Sequence, residues 1–223
     1  MSAKPKRTYD ATKRRARAED ERRATRRRVL AAAQRLFIAK GYTATTMSDI
    51  AEDAGVAMQS VYKAGTSKAD LLQQVIELVV AGDDEDVMMT DRPNIMAIAA
   101  ESDPPRQVQM MAELIANVRE RSAPIQAAYR QAAAVDQTVA ENLDAELRRR
   151  HETFTAVIGI ISEDRLRHSL DESTDIAWAL GSYELFLLLR TRRGWDADHY
   201  RQWLSRTLVE QLLRPDSRQR PLD

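Results

Sequence analysis

The sequence predicts an all-α fold of about nine helices. Glycine and proline each occur only 7 times in 223 residues, whereas Ala, Leu, Arg, Glu and Gln, which favour helices, are abundant. No segment alternates apolar and polar residues between turn dipeptides, so no sheet is expected. Apolar residues recur at helical spacing instead. The predicted helices cover residues 26–40, 47–53, 57–63, 67–80, 94–101, 104–121, 124–162, 172–192 and 196–214.

The first helix is predicted from Arg26 because Val29, Ala33 and Phe37 recur at helical spacing, and Gly41 follows where a helix often ends. The preceding residues 1–24 are polar and charged, with almost nothing to bury. We expect them to form a flexible basic arm, with nascent helix from residue 13 onward.

Local signals set the limits of the next three helices. Thr46 and Asp49 have the spacing of a capping box, which favours a helix start at Met47. The Ala64-Gly65 pair ends the third helix, and Ser67 caps the fourth.

Prolines and glycines divide the remainder of the chain. The acidic run at residues 82–86 leads into a loop that ends at Pro93, and Pro104-Pro105 opens a later helix. A long helical region is expected from Pro124 to Ser162, with a possible break near residue 136. Gly194 separates the last two helices.

The second and third predicted helices are short and closely joined, which is typical of a helix-turn-helix. Ala51 provides a small residue where the two backbones approach, and Gly55 suits a turn position with positive φ. The apolar residues that would lock the pair are Ile50, Ala54, Val56 and Val61. In a helix-turn-helix the second helix lies in the DNA major groove. An ordinary helical hairpin is the alternative.

The formal net charge of zero conceals two halves of opposite sign. Residues 1–68 hold 16 Lys and Arg against 7 Asp and Glu, so residues 69–223 hold 18 against 27. This asymmetry predicts a head that binds a polyanion on an acidic body. A solvated basic helix without a partner is the alternative.

Composition disfavours several other classes. The chain has no cysteine, so it has no disulfide or thiolate metal site and suits a reducing cytoplasm. It shows neither a signal peptide nor an apolar run long enough to cross a membrane. The three histidines lie on separate segments, and no phosphate-binding glycine loop or Ser-His-Asp arrangement is found. We therefore expect no enzymatic activity, cofactor or metal.

The stretch VLAAAQRLFIAKGYTATTMSDIAEDAGVAMQSVY, followed by SKADLL, resembles the N-terminal domain of the tetracycline-repressor (TetR) family of transcription regulators. The resembling positions run without a gap from Val29 to Leu72. The resemblance implies a DNA-binding domain at residues 25–68 and an effector-binding and dimerisation domain at residues 69–223. The length, helix count and terminal RGWDADHYRQWL of the second part also look like this family.

The resemblance also implies which residues would contact double-stranded DNA. Thr46, Tyr62 and Lys68 would bind phosphates. Charge, rather than the resemblance, adds Arg26 and Arg27, which belong to the basic cluster at residues 22–28. Met58, Gln59, Ser60 and Lys63 would face the groove. The chemistry of these side chains agrees, since glutamine pairs bidentately with adenine and methionine can contact a thymine methyl group.

The chain also departs from the family pattern. Ala57 stands where a Ser or Thr usually caps the recognition helix, which removes a cap that contributes about 1 kcal/mol. Ala64 and Gly65 stand where an aromatic pair usually follows Tyr62-Lys63. These departures predict weaker DNA binding, for which the basic arm would compensate by neutralising phosphates.

The last two predicted helices carry more apolar surface than one body needs, which predicts a four-helix interface between two copies. The expected interface residues are Tyr183, Phe186, Leu187, Trp203, Leu204, Leu208 and Leu212. Packing within one core is the alternative.

Methionine, aromatic and a few polar side chains in the middle helices suit an adaptable pocket for a small, largely apolar effector. The candidate lining residues are Met96, Met110, Met111, Asn117, Tyr129, His151, Phe154 and Trp178. Such a set is also compatible with plain core packing. The functional hypothesis is a dimeric repressor released from a palindromic operator by the effector, and the alternative is an interaction protein on the same scaffold with weakened or lost DNA binding.

Overall fold

The computed structural model describes residues 8–83 and 91–215, with side chains from Lys13 onward. Over these ranges it contains ten helices and no strand, apart from one isolated bridge between Leu166 and Leu213, so the predicted all-α class is confirmed. The helices are α1 Thr8–Lys40, α2 Met47–Ala54, α3 Met58–Ala64, α4 Lys68–Ala81, α5 Pro93–Ala100, α6 Pro104–Ala133, α7 Gln137–Ile158, α8 Leu170–Leu180, α9 Tyr183–Arg192 and α10 Ala197–Leu212. None of them is both long and apolar enough to cross a bilayer.

The first helix begins much earlier than the sequence pattern predicts. Residues 1–7 of the predicted arm lie outside the described residues, but from Thr8 the chain is helical and continues without a break to Lys40. Helix-forming Arg, Ala and Glu residues favour this extension. The Nε atom of Arg17 also donates a hydrogen bond of 3.2 Å to Glu21, one turn further along.

The sequence predicted a helix start at Pro124, but this residue lies inside α6. A proline in a helix interior removes one backbone hydrogen bond and normally favours a break. Packing outweighs this effect here, because Ile125, Ala128 and Ala132 beyond the proline are all buried. The predicted break near residue 136 is present between α6 and α7.

The single helix predicted at residues 172–192 is two helices, α8 and α9, that meet at Gly181 and Ser182. The Ser182 hydroxyl caps α9 by accepting a hydrogen bond from the amide of Leu185 at 3.2 Å. The carbonyls at the end of α8 receive donors from three other helices. Arg119 Nε donates to Gly181 at 2.7 Å, Tyr200 Oη donates to Leu180 at 3.4 Å, and Arg150 donates to Trp178. These donors satisfy carbonyl groups that a helix end leaves open.

The chain divides into two compact units. The first comprises residues 1–77 and 127–139, and the second comprises residues 78–126 and 140–223. The core of the first unit contains Val29, Phe37, Ile50, Val61 and Leu71, each with no exposed surface. The functional domains predicted at 25–68 and 69–223 follow the sequence motif rather than these limits, and they stay a prediction.

The second unit has its own core, built from α5 to α10. Its buried residues include Ile98, Val108, Ile161, Tyr200 and Leu208. Phe186 and Tyr200 contact each other edge to face, with ring centroids 4.9 Å apart. Burial raises the pKa of Tyr200 to about 12.

Candidate nucleic-acid interface

The turn between α2 and α3 depends on one glycine. Gly55 has φ 62° and ψ 43°, the left-handed conformation that residues with a Cβ atom rarely adopt. Its amide donates to Glu52 at 3.1 Å, and the amide of Val56 donates to Ala51 at 3.0 Å. These two bonds close the end of α2 and fix the direction in which α3 leaves the turn.

The start of α2 is fixed by the predicted capping box. The amide of Asp49 donates to the Thr46 hydroxyl oxygen, and the amide of Thr46 donates to the Asp49 carboxylate, both at 3.0 Å. The backbone hydrogen bond from Thr46 lowers the pKa of Asp49. The Thr46 side chain is exposed, and a hydroxyl that accepts one bond still has its proton to donate to a phosphate oxygen.

The two faces of α3 differ in exposure. Val61 and Ala64 are buried against the rest of the first unit, whereas Met58, Gln59 and Lys63 are exposed. Tyr62, with 52% of its surface exposed, is on the exposed side as well. The structure thus places these predicted contact residues together. Ser60, predicted to lie with them, is only half-buried and sits at the edge of this face.

The two departures from the family pattern have different structural consequences. Ala57 occupies the N-cap position of α3 in an extended conformation and makes no side-chain cap, as expected. At Gly65, by contrast, another residue fills the space. A Cβ atom there would lie 2.5 Å from Leu71 Cδ2 and 2.7 Å from Leu71 Cγ. Leu71 itself is fully buried, so the missing aromatic side chain leaves no opening at this point.

Lys68 lies at the start of α4, where its position is fixed by Tyr42. The Nζ atom donates to the Tyr42 carbonyl at 2.9 Å and lies 4.2 Å from the centroid of the Tyr42 ring. This is a cation–π contact. An ammonium group has three protons to donate, so this lysine can hold the turn and still donate to a phosphate.

The end of α3 is clamped by Gln74. The Nε2 atom of Gln74 donates to the Ala64 carbonyl at 2.8 Å and to Asp70 at 2.9 Å. Its Oε1 atom accepts from Arg26 Nη2 at 2.8 Å. Arg26, predicted as a phosphate contact, therefore connects α1 to the end of α3 through this one side chain. Arg27 is exposed on the same helix.

A second connection joins the α1–α2 turn to residues just before α7. Tyr42 Oη donates to the Asp136 carboxylate at 2.6 Å. This hydrogen bond lowers the pKa of Asp136. Burial raises the pKa of Tyr42, and the hydrogen bond and the negative charge of Asp136 raise it further. Tyr129 Oη donates to Gln73 in α4 at 2.7 Å. Sequence reasoning did not identify Tyr42, Gln74 or Asp136 as site residues.

The sequence of this region matches the family model described as bacterial regulatory proteins, tetR family, over residues 29–75. These are the residues that build α2, the turn, α3 and their supports. Residues 29–75 thus match the tetR family. The match places the capping box, the αL glycine and the exposed face of α3 in the family's shared region.

A curated regulator is similar to part of the chain. The HTH-type transcriptional regulator TtgR of Pseudomonas putida is 38% identical over 61 residues, which is 27% of this chain. The aligned part spans only 29% of the length of that regulator. The similarity therefore covers less than a third of either protein, and this match is to a transcriptional regulator rather than an enzyme.

Solved structures share the fold over most of the chain. NalD, described as the secondary repressor of the MexAB-OprM multidrug efflux pump in Pseudomonas aeruginosa, has a TM-score of 0.66 at 22% identity and covers 88% of this chain and 98% of its own. The SmeT–triclosan complex also has a TM-score of 0.66, at 16% identity, over 90% of this chain and 99% of its own. At these identities the likeness shows the fold alone.

The predicted effector residues do not all belong to one group of contacting side chains. Tyr129 is buried in the first compact unit. Met96 is exposed on α5, and Asn117 is exposed and accepts a hydrogen bond from Arg201 Nη2 at 3.3 Å. Met110 and Met111 pack into the core of the second unit. The eight-residue set thus stays a prediction without a common location.

Three of these residues do lie together, around an arginine that the sequence did not single out. The guanidinium carbon of Arg150 is 5.2 Å from the centroid of the Phe154 ring and 5.0 Å from the Trp178 ring. His151 contacts the edge of Trp178 and bonds Asp175 at 2.9 Å. The indole nitrogen of Trp178 is buried and has no hydrogen-bond partner among the described residues. No spacing in the sequence links α7 to α8 in this way.

The predicted dimer residues also differ in their availability to a second copy. Tyr183, Phe186, Leu204, Leu208 and Leu212 are buried within the second unit of a single chain. Leu187 and Trp203 are only half-buried. Leu188, a neighbour that was not predicted, has 53% of its surface exposed. The apolar surface that α9 and α10 leave for a partner therefore includes these last three residues, whereas the buried leucines contribute almost none.

Proposed function

We propose that this chain is a dimeric DNA-binding transcriptional repressor, released from a palindromic operator by a small, largely apolar effector. The observation that carries the proposal is the exposed face of α3, held in a fixed direction by the αL turn at Gly55 and the clamp at Gln74. A face held in this way suits insertion into the major groove. Since DNA is the proposed partner, we place the protein in the cytoplasm.

Contacts to bases and phosphates divide by chemistry. Gln59 has the amide geometry to pair bidentately with adenine, and Met58 offers an apolar surface to a thymine methyl group. Thr46, Tyr62 and Lys68 provide hydroxyl and ammonium donors for phosphate oxygens. The base contacts would select the sequence, and the phosphate contacts would fix the register of α3 along the groove.

Dimerisation is supported by the apolar surface that remains exposed on α9 and α10. Leu187, Leu188 and Trp203 are large apolar residues that one chain leaves partly open to solvent. Two helix-turn-helix units in a symmetric dimer would read half-sites about 34–36 Å apart. The operator would then be a palindrome.

An effector site is supported by the group around Arg150. Phe154 and Trp178 offer ring faces, while the buried indole nitrogen of Trp178 is a donor that a ligand could satisfy. The structure of SmeT, one of the structural neighbours, is that of its complex with triclosan. We propose a small molecule with aromatic or apolar surface and one hydrogen-bond acceptor.

The test is selection of duplexes from a random DNA pool by the purified protein. A palindrome with half-sites one helical turn apart, bound with one dimer per site, is the expected result. Recovery of a single non-repeated half-site would contradict the dimeric mechanism. Enrichment of no sequence at all would contradict the proposal and favour the interaction protein, to which the uncapped α3 at Ala57 points.

A further inference from the structure

Helix α1 extends beyond the core of the first unit, and this extension carries mostly basic side chains. We call residues 8–25, which precede the first buried residue Val29 by one turn, the α1 overhang. Its length of 18 residues corresponds to about 27 Å of helix. Every side chain described from Lys13 to Ala24 is exposed.

Composition restricts what this surface can bind. From Lys13 to Ala24 no apolar side chain is larger than alanine, so this part of the α1 overhang has no stripe for a protein groove or for a bilayer. Residues 13–28 carry nine basic side chains against three acidic ones, Glu19, Asp20 and Glu21. A polyanion is the partner that this charge fits.

The clamp at Gln74 relates the α1 overhang to the recognition helix. Arg26 Nη2 donates to Gln74 Oε1 at 2.8 Å, and Gln74 Nε2 donates to the Ala64 carbonyl at the end of α3, also at 2.8 Å. Arg22 and Arg23 lie one turn before Arg26 on the same continuous helix. The last basic part of the overhang is therefore held near the C-terminal end of the helix proposed to read DNA.

We propose that the α1 overhang is a second DNA-contacting element, which binds backbone phosphates next to those reached by α3 and does so as a rigid helix. This inference rests on the proposed DNA binding. Because α1 is continuous, its position on the backbone is set by the seating of α3 in the groove. The overhang adds affinity for every sequence without adding base preference.

The first test removes charge from the α1 overhang. The triple variant Arg15→Gln, Arg22→Gln, Arg23→Gln changes only exposed side chains outside the core. Measured on one selected duplex over a range of salt concentrations, its plot of log affinity against log salt should flatten by about 0.9 for each phosphate that is no longer neutralised. A control triple, Arg148→Gln, Arg165→Gln, Arg167→Gln, removes the same charge from exposed positions of the second unit and should leave the slope unchanged.

A variant that removes negative instead of positive charge completes this test. Glu19→Gln with Asp20→Asn removes two of the three acidic side chains between residues 13 and 25. It keeps Glu21, which accepts the hydrogen bond from Arg17. Affinity for duplex DNA should rise for all sequences alike. Two results would show that the overhang is not a contact element. In the first, the basic triple and its control flatten the slope equally. In the second, neither the basic triple nor the acidic double variant changes the affinity.

Rigidity is tested separately with Ala18→Pro. The proline breaks the helix between the basic residues at 13–17 and those at 22–28, but it does not change the charge of the protein. In hydroxyl-radical footprinting, the wild type should protect backbone sugars within about 27 Å of those covered by α3. The variant should leave these additional positions open to cleavage. Protection identical to the wild type would overturn the rigid helix in favour of a flexible arm. Thermal unfolding monitors whether the fold of each variant is retained.

The same measurements separate failure of this inference from failure of the proposed function. Wild-type protein that binds no duplex would contradict both. A duplex bound by α3 with a salt slope independent of the α1 overhang would contradict only the inference. Tighter overhang-dependent binding to single-stranded RNA, or to vesicles containing phosphatidylserine, than to the duplex would also overturn it.

Discussion

At the level of single residues, two glycines of the first unit serve different purposes. Gly55 is needed for its backbone angle. Apart from its chain neighbours, no described residue would lie within 4 Å of a Cβ atom there, but φ is positive. Gly65 has an extended backbone, but Leu71 fills the space that a Cβ atom would need. The first is a conformational requirement, and the second is a packing requirement.

These requirements predict distinct substitution effects. Gly55→Ala should lower the free energy of unfolding by about 1–2 kcal/mol because alanine resists the left-handed region, whereas Gly55→Asn should lower it less. Gly65→Ala should lower it by about 1–3 kcal/mol through overpacking against Leu71. Urea unfolding measures all three. Equal losses for Gly55→Ala and Gly55→Asn would show that strain at φ is not the cause.

A second pair of substitutions separates base contacts from phosphate contacts. Gln59→Ala should lose about 1–3 kcal/mol of discrimination at one or two base pairs per half-site, because the bidentate pairing is removed. Tyr62→Phe removes only a hydroxyl from an exposed ring and should weaken binding to all sequences alike. A panel of single-mismatch duplexes distinguishes the two patterns. Lys68→Ala is less suitable, since it also breaks the bond to Tyr42.

At the level of elements, α3 is short and its two ends are held differently. The C-terminal end is bonded through Ala64 to Gln74, whereas the N-terminal end has no side-chain cap at Ala57. A helix of seven residues gains little from its own hydrogen bonds and depends on packing of Val61 and Ala64. Its weakest point is therefore the N-terminal end, beside the turn.

Restoring the cap should stabilise the protein. Ala57 already has the extended conformation of an N-cap residue, with φ −67° and ψ 147°, so a serine hydroxyl there would meet an open amide of α3. Ala57→Ser should raise the free energy of unfolding by about 1 kcal/mol. Ala57→Val, which adds volume without a hydroxyl, is the matched control and should not stabilise. A stabilising valine would contradict the capping explanation.

Acid should weaken the supports of the helix-turn-helix. Burial raises the pKa of Asp70, but hydrogen bonds from Gln74 and Thr66 outweigh it, so the net shift is downward from 3.8. A carboxylate with a lowered folded-state pKa stabilises the protein above its unfolded pKa and loses this contribution as pH falls through the folded pKa. The free energy of unfolding should thus decrease below about pH 4. Asp70→Asn should make this decrease shallower, and an unchanged profile would contradict the assignment.

The sequence predicted some elements well because their signals are local. The capping box at Thr46 and the glycine at position 55 placed α2 and α3 to within one residue. Pro124 was misinterpreted because burial of the residues beyond it, which is a tertiary effect, keeps α6 intact. The group around Arg150 was missed for the same reason, since only folding brings α7 next to α8.

At the level of the whole molecule, the proposed dimer depends on residues that folding leaves accessible. Leu208 is 1% exposed in the second unit, so a charge there would unfold the protein rather than separate two copies. Leu188 is the better site for a test because it lies on α9 with more than half of its surface exposed.

Leu188→Glu should dissociate the dimer without unfolding the chain. A charge in a paired apolar surface is costly to bury, and dissociation returns it to water. The variant should sediment as a monomer with native helicity and bind a full palindrome no better than a half-site, since the second head is absent. Met96→Glu changes a comparably exposed apolar residue on α5 and should remain dimeric. A dimeric Leu188→Glu variant would place the interface elsewhere.

The discontinuity of the first compact unit has a consequence for synthesis. Its second segment, residues 127–139, follows the first segment only after residues 78–126 have been made. At about 5–20 residues per second, the ribosome needs roughly 3–12 s to get from the end of one segment to the end of the other. During that interval Tyr42 and Gln73 are without Asp136 and Tyr129, their partners in the finished unit. The nascent helix-turn-helix must therefore hold itself together by α1 to α4 alone, and it reaches its final form seconds after its own residues have been translated.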